Sequence, residues 1–207
     1  VTDHPPSIEI PVSAHPDPLD LEGIFGNLPV EVDVGSGKGR FLLARAAAHP
    51  DTGFLGIERQ RRRVDKVAGK ATRAGLGNIR LLHTEIRFAI DTMLADDTIR
   101  TFYVFFPDPW PKRKHNPRRL VNAEFLKLLH RKLQPGGCIH FATDHEDYFA
   151  AVEPLFAHSP LFTPCPPFVP GPAEQTDFEL LFAADGKTAN RLSLQKQCSL
   201  QGQELSS

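Results

Sequence analysis

A carboxylate held between two prolines, Asp108 in Phe105-Phe106-Pro107-Asp108-Pro109-Trp110-Pro111, precedes the only tryptophan of the chain and the cations Lys112, Arg113, Lys114, Arg118 and Arg119. Proline fixes φ, so the chain itself sets the direction of that carboxylate. An acid there can accept hydrogen bonds or a proton, the indole can stack or pack as a hinge, and the basic run suits phosphate. The bland alternative is a strand that runs into a solvated basic loop. Further acids, Asp33, Glu58 and Glu85, share one property with Asp108: each falls at or just past the end of an apolar, β-prone run. Open α/β sheets place their ligands at such strand ends.

Asp33 lies two residues before the turn Gly35-Ser36-Gly37-Lys38-Gly39, which separates a β-prone run (30–34) from a helical pattern carried by Phe41, Leu42, Ala44, Arg45 and Ala48. A strand, glycine turn and helix let a ligand approach the backbone and aim a helix N-terminus at it. Three cofactor classes use that device. A phosphate-binding loop needs glycine at position 32 and Ser or Thr at 39, which hold Val32 and Gly39. A dinucleotide fingerprint needs its third glycine at position 40, which is Arg40. The tighter G-x-G-x-G spacing with an acid two residues earlier is similar to the first motif of S-adenosylmethionine-dependent methyltransferases. Glu58 closes the next β-prone run (53–57), where a carboxylate can accept from both hydroxyls of an unphosphorylated ribose. Its alternative is an exposed helix-start acid. Arg59 and Arg61 to Arg63 suit a solvated helix face that extends a basic rim in part.

The elements that must position these residues follow from the pattern. Strands are expected at 30–34, 53–57, 78–83, 99–106 and 138–142, alternating with helices that include 59–74, 86–94 and 121–133. That alternation predicts an α/β fold with a mainly parallel, doubly wound sheet. After Thr143-Asp144 the pattern gives a helix at 148–156 and a proline-rich loop at 160–172 that lies over some other element. Residues 176–195 alternate like an antiparallel hairpin around Asp185-Gly186. Residues 1–29 form a proline-rich lead-in with one short apolar turn at 21–25, residues 30–196 a single domain, and 197–207 a tail.

With 207 residues, 41% hydrophobic and 24% charged, the chain can bury one real core. A formal net charge of −1 requires any nucleic-acid partner to be met by a local patch. Cys138, Cys165 and Cys198 show no zinc spacing, so no metal is expected and a reducing compartment is. No apolar run reaches membrane-span length and no signal-peptide pattern opens the chain, which points to a cytoplasmic protein without membrane contact.

Taken together, these residues resemble the bacterial tRNA (guanine-N7-)-methyltransferases, the TrmB family, from about residue 30 to 196. Beyond the glycine turn the resemblance rests on Gly56-Ile57-Glu58, Phe106-Pro107-Asp108-Pro109-Trp110-Pro111-Lys112, His115-x-x-Arg118-Arg119, Pro135-Gly136-Gly137, Phe141-Ala142-Thr143-Asp144 and Thr176-Asp177-Phe178-Glu179. It implies a Rossmann-like methyltransferase domain that moves a methyl group from S-adenosyl-L-methionine to N7 of a guanine in tRNA, at position 46 of the variable loop. It further implies cofactor contacts at Asp33, Gly35, Gly37, Glu58, Glu85 and Asp108, with Asp108 also catalytic. Substrate contacts are implied at Lys112, Asp144, Thr176, Asp177, Phe178 and Glu179. RNA contacts are implied at Lys114, His115, Asn116, Pro117, Arg118 and Arg119, in a chain that works as a monomer or homodimer. Asp33 stands where the family more often has Glu, Glu85 where it more often has Asp, and Pro117 interrupts a run that usually lacks proline. Guanine N7 has a lone pair and no proton, so Asp108 is expected to position the base as a buried carboxylate rather than act as a general base. The rival readings are a methyltransferase of the same fold acting on another RNA or a small molecule, and a non-catalytic RNA-binding module. A nicotinamide-dependent oxidoreductase is the weakest, because of Arg40.

Overall fold

A computed structural model describes residues 7–14, 16–184, 186 and 188–197. The side chains of Arg113, Asn116 and Ala184 lie outside the described set. In chain order the elements are β1 (Glu9–Ile10), α1 (Leu21–Phe25), β2 (Val30–Val34), α2 (Arg40–Ala48), β3 (Gly53–Glu58), α3 (Arg61–Arg73), β4 (Ile79–His83) and α4 (Ile86–Phe88), which continues as a π-helical turn, Ala89–Met93. There follow β5 (Ile99–Phe105), a 3₁₀ segment (Arg113–Arg118), α5 (Ala123–Lys132), β6 (Leu133–Thr143), α6 (Glu146–Ala157), β7 (Phe162–Pro164), α7 (Asp177–Ala184) and β8 (Asn190–Lys196).

The eight strands form one sheet in the order β1-β4-β3-β2-β5-β6-β8-β7. Strands β1 to β6 pair in parallel, and β8 runs antiparallel to both β6 and β7. Every residue of β2 and β3 is buried, as expected for central strands covered by helices on both faces. On one side Leu42, Ala46, Val64, Val67 and Ala71 of α2 and α3 pack on Phe54, Ile79 and Leu81. On the other, Phe125, Leu126 and Leu129 of α5 join Tyr148, Val152 and Phe156 of α6 over Val32, Ile57 and Val104. Gly56 is required by this packing, since a Cβ there would lie 2.5 Å from Leu42 Cδ2.

Strand order reverses between β2 and β5, so the two loops that follow these strands diverge and leave a crevice at their C-terminal ends. The loop after β2 is the glycine turn, and the loop after β5 carries Asp108. The predicted doubly wound parallel sheet is therefore present, with three local corrections. Strand β6 starts at Leu133 rather than 138, because Gln134 to Gly137 bulge within it: Ile99 faces Leu133 and Thr101 already faces Cys138. The lead-in contributes a parallel edge strand, β1, against Leu81 and Leu82. The antiparallel ending is built by β7 and β8, while 177–184 is helix, so no hairpin turns about Asp185, itself outside the described residues. Among the described residues no helix is long and apolar enough to cross a membrane.

Candidate active site

The crevice at the β2/β5 switch is a cleft of about 390 Å³. The glycine turn, the ends of β2, β3 and β5, the start of α4 and the N-terminus of α7 line it. Asp33, Glu58, Glu85 and Asp108 all lie on its wall, so the four strand-end acids do meet.

Gly35, Gly37 and Gly39 have φ of 83°, 55° and 75°, a left-handed run that only glycine adopts without strain. The resulting turn folds its N–H groups inward. Gly35 and Ser36 donate to the Ile57 carbonyl at 2.9 and 3.1 Å, Gly39 donates to the Ser36 carbonyl at 2.8 Å, and Gly37 donates to Glu58 Oε2 at 3.0 Å. With these amides engaged, the turn presents no cradle for phosphate, which agrees with the absence of a phosphate-loop spacing. Glu58 also accepts from Gln60 N at 2.8 Å and Arg63 at 3.4 Å, so it locks the glycine turn to the start of α3 as well as facing the cleft. Glu85 caps α4 by accepting from Phe88 N at 2.8 Å. Asp33 is the exception. It is 6% exposed and has no hydrogen-bond partner among the described residues, and burial together with the neighbouring Glu58 charge pushes its carboxyl up to about 7.

The loop after β5 is shaped at both ends by unusual backbone. Phe106 and Trp110 have φ of 50° and 45°, positive values that cost bulky residues roughly 1–3 kcal/mol each. Two internal contacts hold the loop against that cost. Phe106 N donates to the Ala142 carbonyl at 2.8 Å, and Arg119 Nε donates to the Pro109 carbonyl at 2.9 Å. Asp108 is presented at the crest between them, exposed and without a hydrogen-bond partner among the described residues, which corrects the expectation of a buried carboxylate. Trp110 lines the cleft with one edge toward His115, 5.7 Å between centroids, and Arg118 lies 5.0 Å over its ring.

Arg119 is placed against its sequence assignment. Its side chain is buried, with Nη1 donating to the Asp147 carbonyl at 3.3 Å and the guanidinium 4.8 Å over Tyr148. It is a brace for the Asp108 loop, not a free phosphate ligand. Arg119→Ala is expected to cost about 1–3 kcal/mol of unfolding free energy by removing its part-buried hydrogen bonds to the Pro109 and Asp147 carbonyls and its packing on Tyr148, and Arg119→Lys to recover little because the forked geometry is lost. Denaturant unfolding measures this; unchanged stability would return Arg119 to the exposed basic run.

The far wall of the cleft is α7. Thr176 Oγ1 accepts from Glu179 N at 3.1 Å and Glu179 Oε2 accepts from Thr176 N at 2.7 Å, a reciprocal capping box. Glu179 is buried against Arg191 of β8, so within Thr176-Asp177-Phe178-Glu179 only the first three residues line the cleft. Phe178 is 49% exposed and packs at 5.9 Å from Phe106 and 6.2 Å from Phe182. The proline-rich segment lies over Phe41, Tyr103 and Phe105 through Phe168, and Arg45 bridges it to the sheet by pairing with both Glu174 and the buried Glu31. Arg40 Nε donates to the Gln175 carbonyl at 3.0 Å, which fixes the approach to α7.

Of the remaining sequence assignments, Lys112, Lys114 and Pro117 are exposed beyond the cleft, His115 is half-buried against Trp110, and Asp144 is exposed just past β6. The side chain of Asn116 lies outside the described residues. Sequence reasoning named Phe178 but missed the aromatic rim it forms with Phe106 and Phe182, and the Arg45–Glu31–Glu174 strap. The capping-box spacing, Thr-x-x-Glu, was the available signal that 177–184 is helix.

Residues 27–185 match the protein family described as "Putative methyltransferase". The chain is 33% identical over 171 residues to the tRNA (guanine-N(7)-)-methyltransferase of Corynebacterium efficiens, covering 82% of this chain and 67% of that protein. It is 38% identical over 144 residues to the protein of the same name from Nitrosomonas eutropha, covering 69% of this chain and 63% of that one. Against the Sodalis glossinidius protein of that name, 40% identical over 132 residues, it spans 55% of the relative's length. Among solved structures, the 16S rRNA methyltransferase KamB superposes with a TM-score of 0.64 at 17% identity, over 88% of this chain and 95% of that one. The aminoglycoside resistance methyltransferase NpmB1 does so with 0.62 at 20%, over 86% and 92%. At these identities the structural likeness speaks for the fold.

Proposed function

The chain belongs to the methyltransferase family of the tRNA (guanine-N7-)-methyltransferases, and from that premise we propose that it transfers a methyl group from S-adenosyl-L-methionine to N7 of a guanine in tRNA. The finer target, position 46 of the variable loop, belongs to the same proposal. The chain spans less than two thirds of the N. eutropha relative, so the activity rests on the family together with the chemistry of the cleft.

One observation carries the reading: an acid-lined cleft opens directly beside a loop that carries the half-buried Trp110 and the exposed cations Lys112, Lys114 and Arg118. The cleft fits the proposed cofactor. Its glycine amides are engaged internally, its wall bears four carboxylates, and two of these, the buried Asp33 and the exposed Asp108, have no hydrogen-bond partner among the described residues, so the site suits a ligand with cationic and hydroxyl groups and no phosphate. When bound, S-adenosylmethionine supplies a methyl group on a sulfonium, an electrophile that a lone pair can take without help from a base. Asp33 and the glycine turn would hold the methionine part, Glu58 the ribose and Glu85 the adenine side. Asp108 would accept hydrogen bonds from the N1–H and exocyclic amine of guanine, a donor pair that adenine does not present. The task is alignment and exclusion of water, a proximity effect. Trp110, Phe106 and Phe178 provide apolar surface that excludes water from the mouth, while Lys112, Lys114 and Arg118 supply cations for the RNA backbone.

The test is incubation with unmodified tRNA and methyl-labelled S-adenosylmethionine, followed by mapping of the label. N7-methylguanine in the variable loop is the expected product. Label on another atom or another RNA, or none, overturns the proposal. Rejection of adenine at the target position is expected as well, and equal transfer to it would remove the edge-reading role of Asp108.

A further inference from the structure

The stretch from Arg59 to Arg73 carries Arg59, Arg61, Arg62, Arg63, Lys66, Lys70 and Arg73 against one acid, Asp65. The chain as a whole is balanced at 24 basic and 25 acidic residues, so this is a local concentration and not a general property. The structure divides the six that lie on α3. Arg61 is spent on Glu9 and Asp65, and Arg63 lies against Glu58. Arg62, Lys66, Lys70 and Arg73 are exposed and form no ion pair among the described residues. Their spacing of four, four and three puts them on one side of α3, opposite Val64, Val67 and Ala71, which face the sheet.

At 1.5 Å per residue, neighbours four apart on a helix stand about 6 Å apart along its axis, comparable with the step between successive phosphates along an RNA strand. The stripe is also joined to the cleft. Helix α3 begins at Arg61, three residues past Glu58; Arg59 and Arg63 line the cleft, and Lys70 Nζ donates to the Lys38 carbonyl at 3.5 Å, so the cation of the glycine turn borders the stripe. Cations therefore flank both sides of the mouth: the Lys112, Lys114 and Arg118 run follows β5, and the α3 stripe follows β3, with β2 between those two strands.

We propose that the exposed face of α3 is a second contact surface for the substrate RNA, engaging its sugar–phosphate backbone beside the segment that enters the cleft. This rests on the proposed RNA-directed activity. It adds that the RNA straddles the cleft and is held on both sides, so that the run after Trp110 supplies only part of the electrostatic grip. A merely solvated helix face would carry the same charges without contributing to binding.

The experiment compares the unaltered chain with a variant carrying Arg62→Ala, Lys66→Ala and Arg73→Ala, all at exposed helix positions where alanine favours the helix and away from the glycine turn that Lys70 contacts. The dissociation constant for tRNA is measured against salt concentration by direct binding, independently of turnover. Each lost phosphate contact lowers the slope of log affinity against log salt by roughly 0.7–0.9, so the expected variant slope is shallower by about two to three. KM for tRNA should rise at least tenfold, with the cofactor dissociation constant and kcat at saturating tRNA held. A second variant, Arg62→Lys, Lys66→Arg and Arg73→Lys, should restore the slope. An unchanged slope and KM in the alanine variant overturn the proposal, as does failure of the charge-preserving variant to recover. If the unaltered chain binds tRNA with the expected slope but leaves guanine N7 unmethylated, the activity is refuted while the slope comparison still decides the role of α3. If it does not bind tRNA at all, both readings fall.

Discussion

Asp108→Ala is expected to lower kcat for methyl transfer by about 10²-fold or more, the scale of loss for a misplaced reacting group, while cofactor affinity and the unfolding midpoint stay close to those of the unaltered chain. The expectation follows from where the carboxylate stands. It is exposed at the crest of a loop, makes no hydrogen bond among the described residues, and supports no packing, so its removal costs the fold little. The loop keeps its shape through Phe106 N on Ala142 and Arg119 on Pro109, neither of which involves the Asp108 side chain. Asp108→Asn tests the edge contact itself. An amide offers one acceptor and one donor, so it meets one of guanine's two edge donors and opposes the other; turnover should stay near the alanine level. Near-full turnover in the alanine variant, measured under single-turnover conditions, removes Asp108 from the chemistry.

The same residue shows what could and could not be seen before the structure. That Asp108 lines the cleft was legible because proline on both sides and an apolar run before it are local signals, and so was the parallel sheet, since alternating β and α patterns with a glycine turn admit few topologies. Its exposure was not legible. Whether a loop residue points into a cleft or stands on its rim depends on Arg119 reaching back ten residues to Pro109, and on positive φ at Phe106 and Trp110, which no propensity encodes. Arg119 itself looked identical in type to Arg118, yet one is buried over Tyr148 and the other lies over Trp110; only the packing of α6 separates them. Thr176 to Glu179 failed differently. The local capping signal was present, but alternation over a longer window suggested strand, and the helix prevailed because Glu179 is paired with Arg191 and Phe178 and Phe182 cover Phe106.

Asp33→Asn is expected to stabilise the protein at pH 8 and to weaken its hold on S-adenosylmethionine. Asp33 lies in the central strand β2, buried, facing the cleft and close to the charge of Glu58. Those two causes, burial first, raise its carboxyl from 3.8 in an ordinary setting to about 7. For an acid shifted upward, the folded state holds the proton more tightly than the unfolded chain does. Stability from this group is therefore greatest below about pH 4, declines as pH rises through the window from about 4 to about 7, and reaches its full penalty above it. A shift of that size corresponds to a ceiling on the order of 4 kcal/mol, at 1.36 kcal/mol per pH unit. Asparagine keeps the shape and removes the charge, so the variant should unfold at a higher temperature at pH 8, with the gap closing toward pH 5. The penalty has a use: an unpartnered carboxylate on the wall of a cleft is relieved by a cationic ligand. Cofactor affinity of the unaltered chain should rise with pH up to about 7 and then level, with proton release on binding below pH 7 detectable by calorimetry in buffers of different ionisation heat. The asparagine variant should bind at least tenfold more weakly at pH 8 and show no proton release. A variant that gains stability and keeps full affinity would mean that Asp33 faces the cleft without serving it, and one that gains no stability would mean that its charge is already compensated.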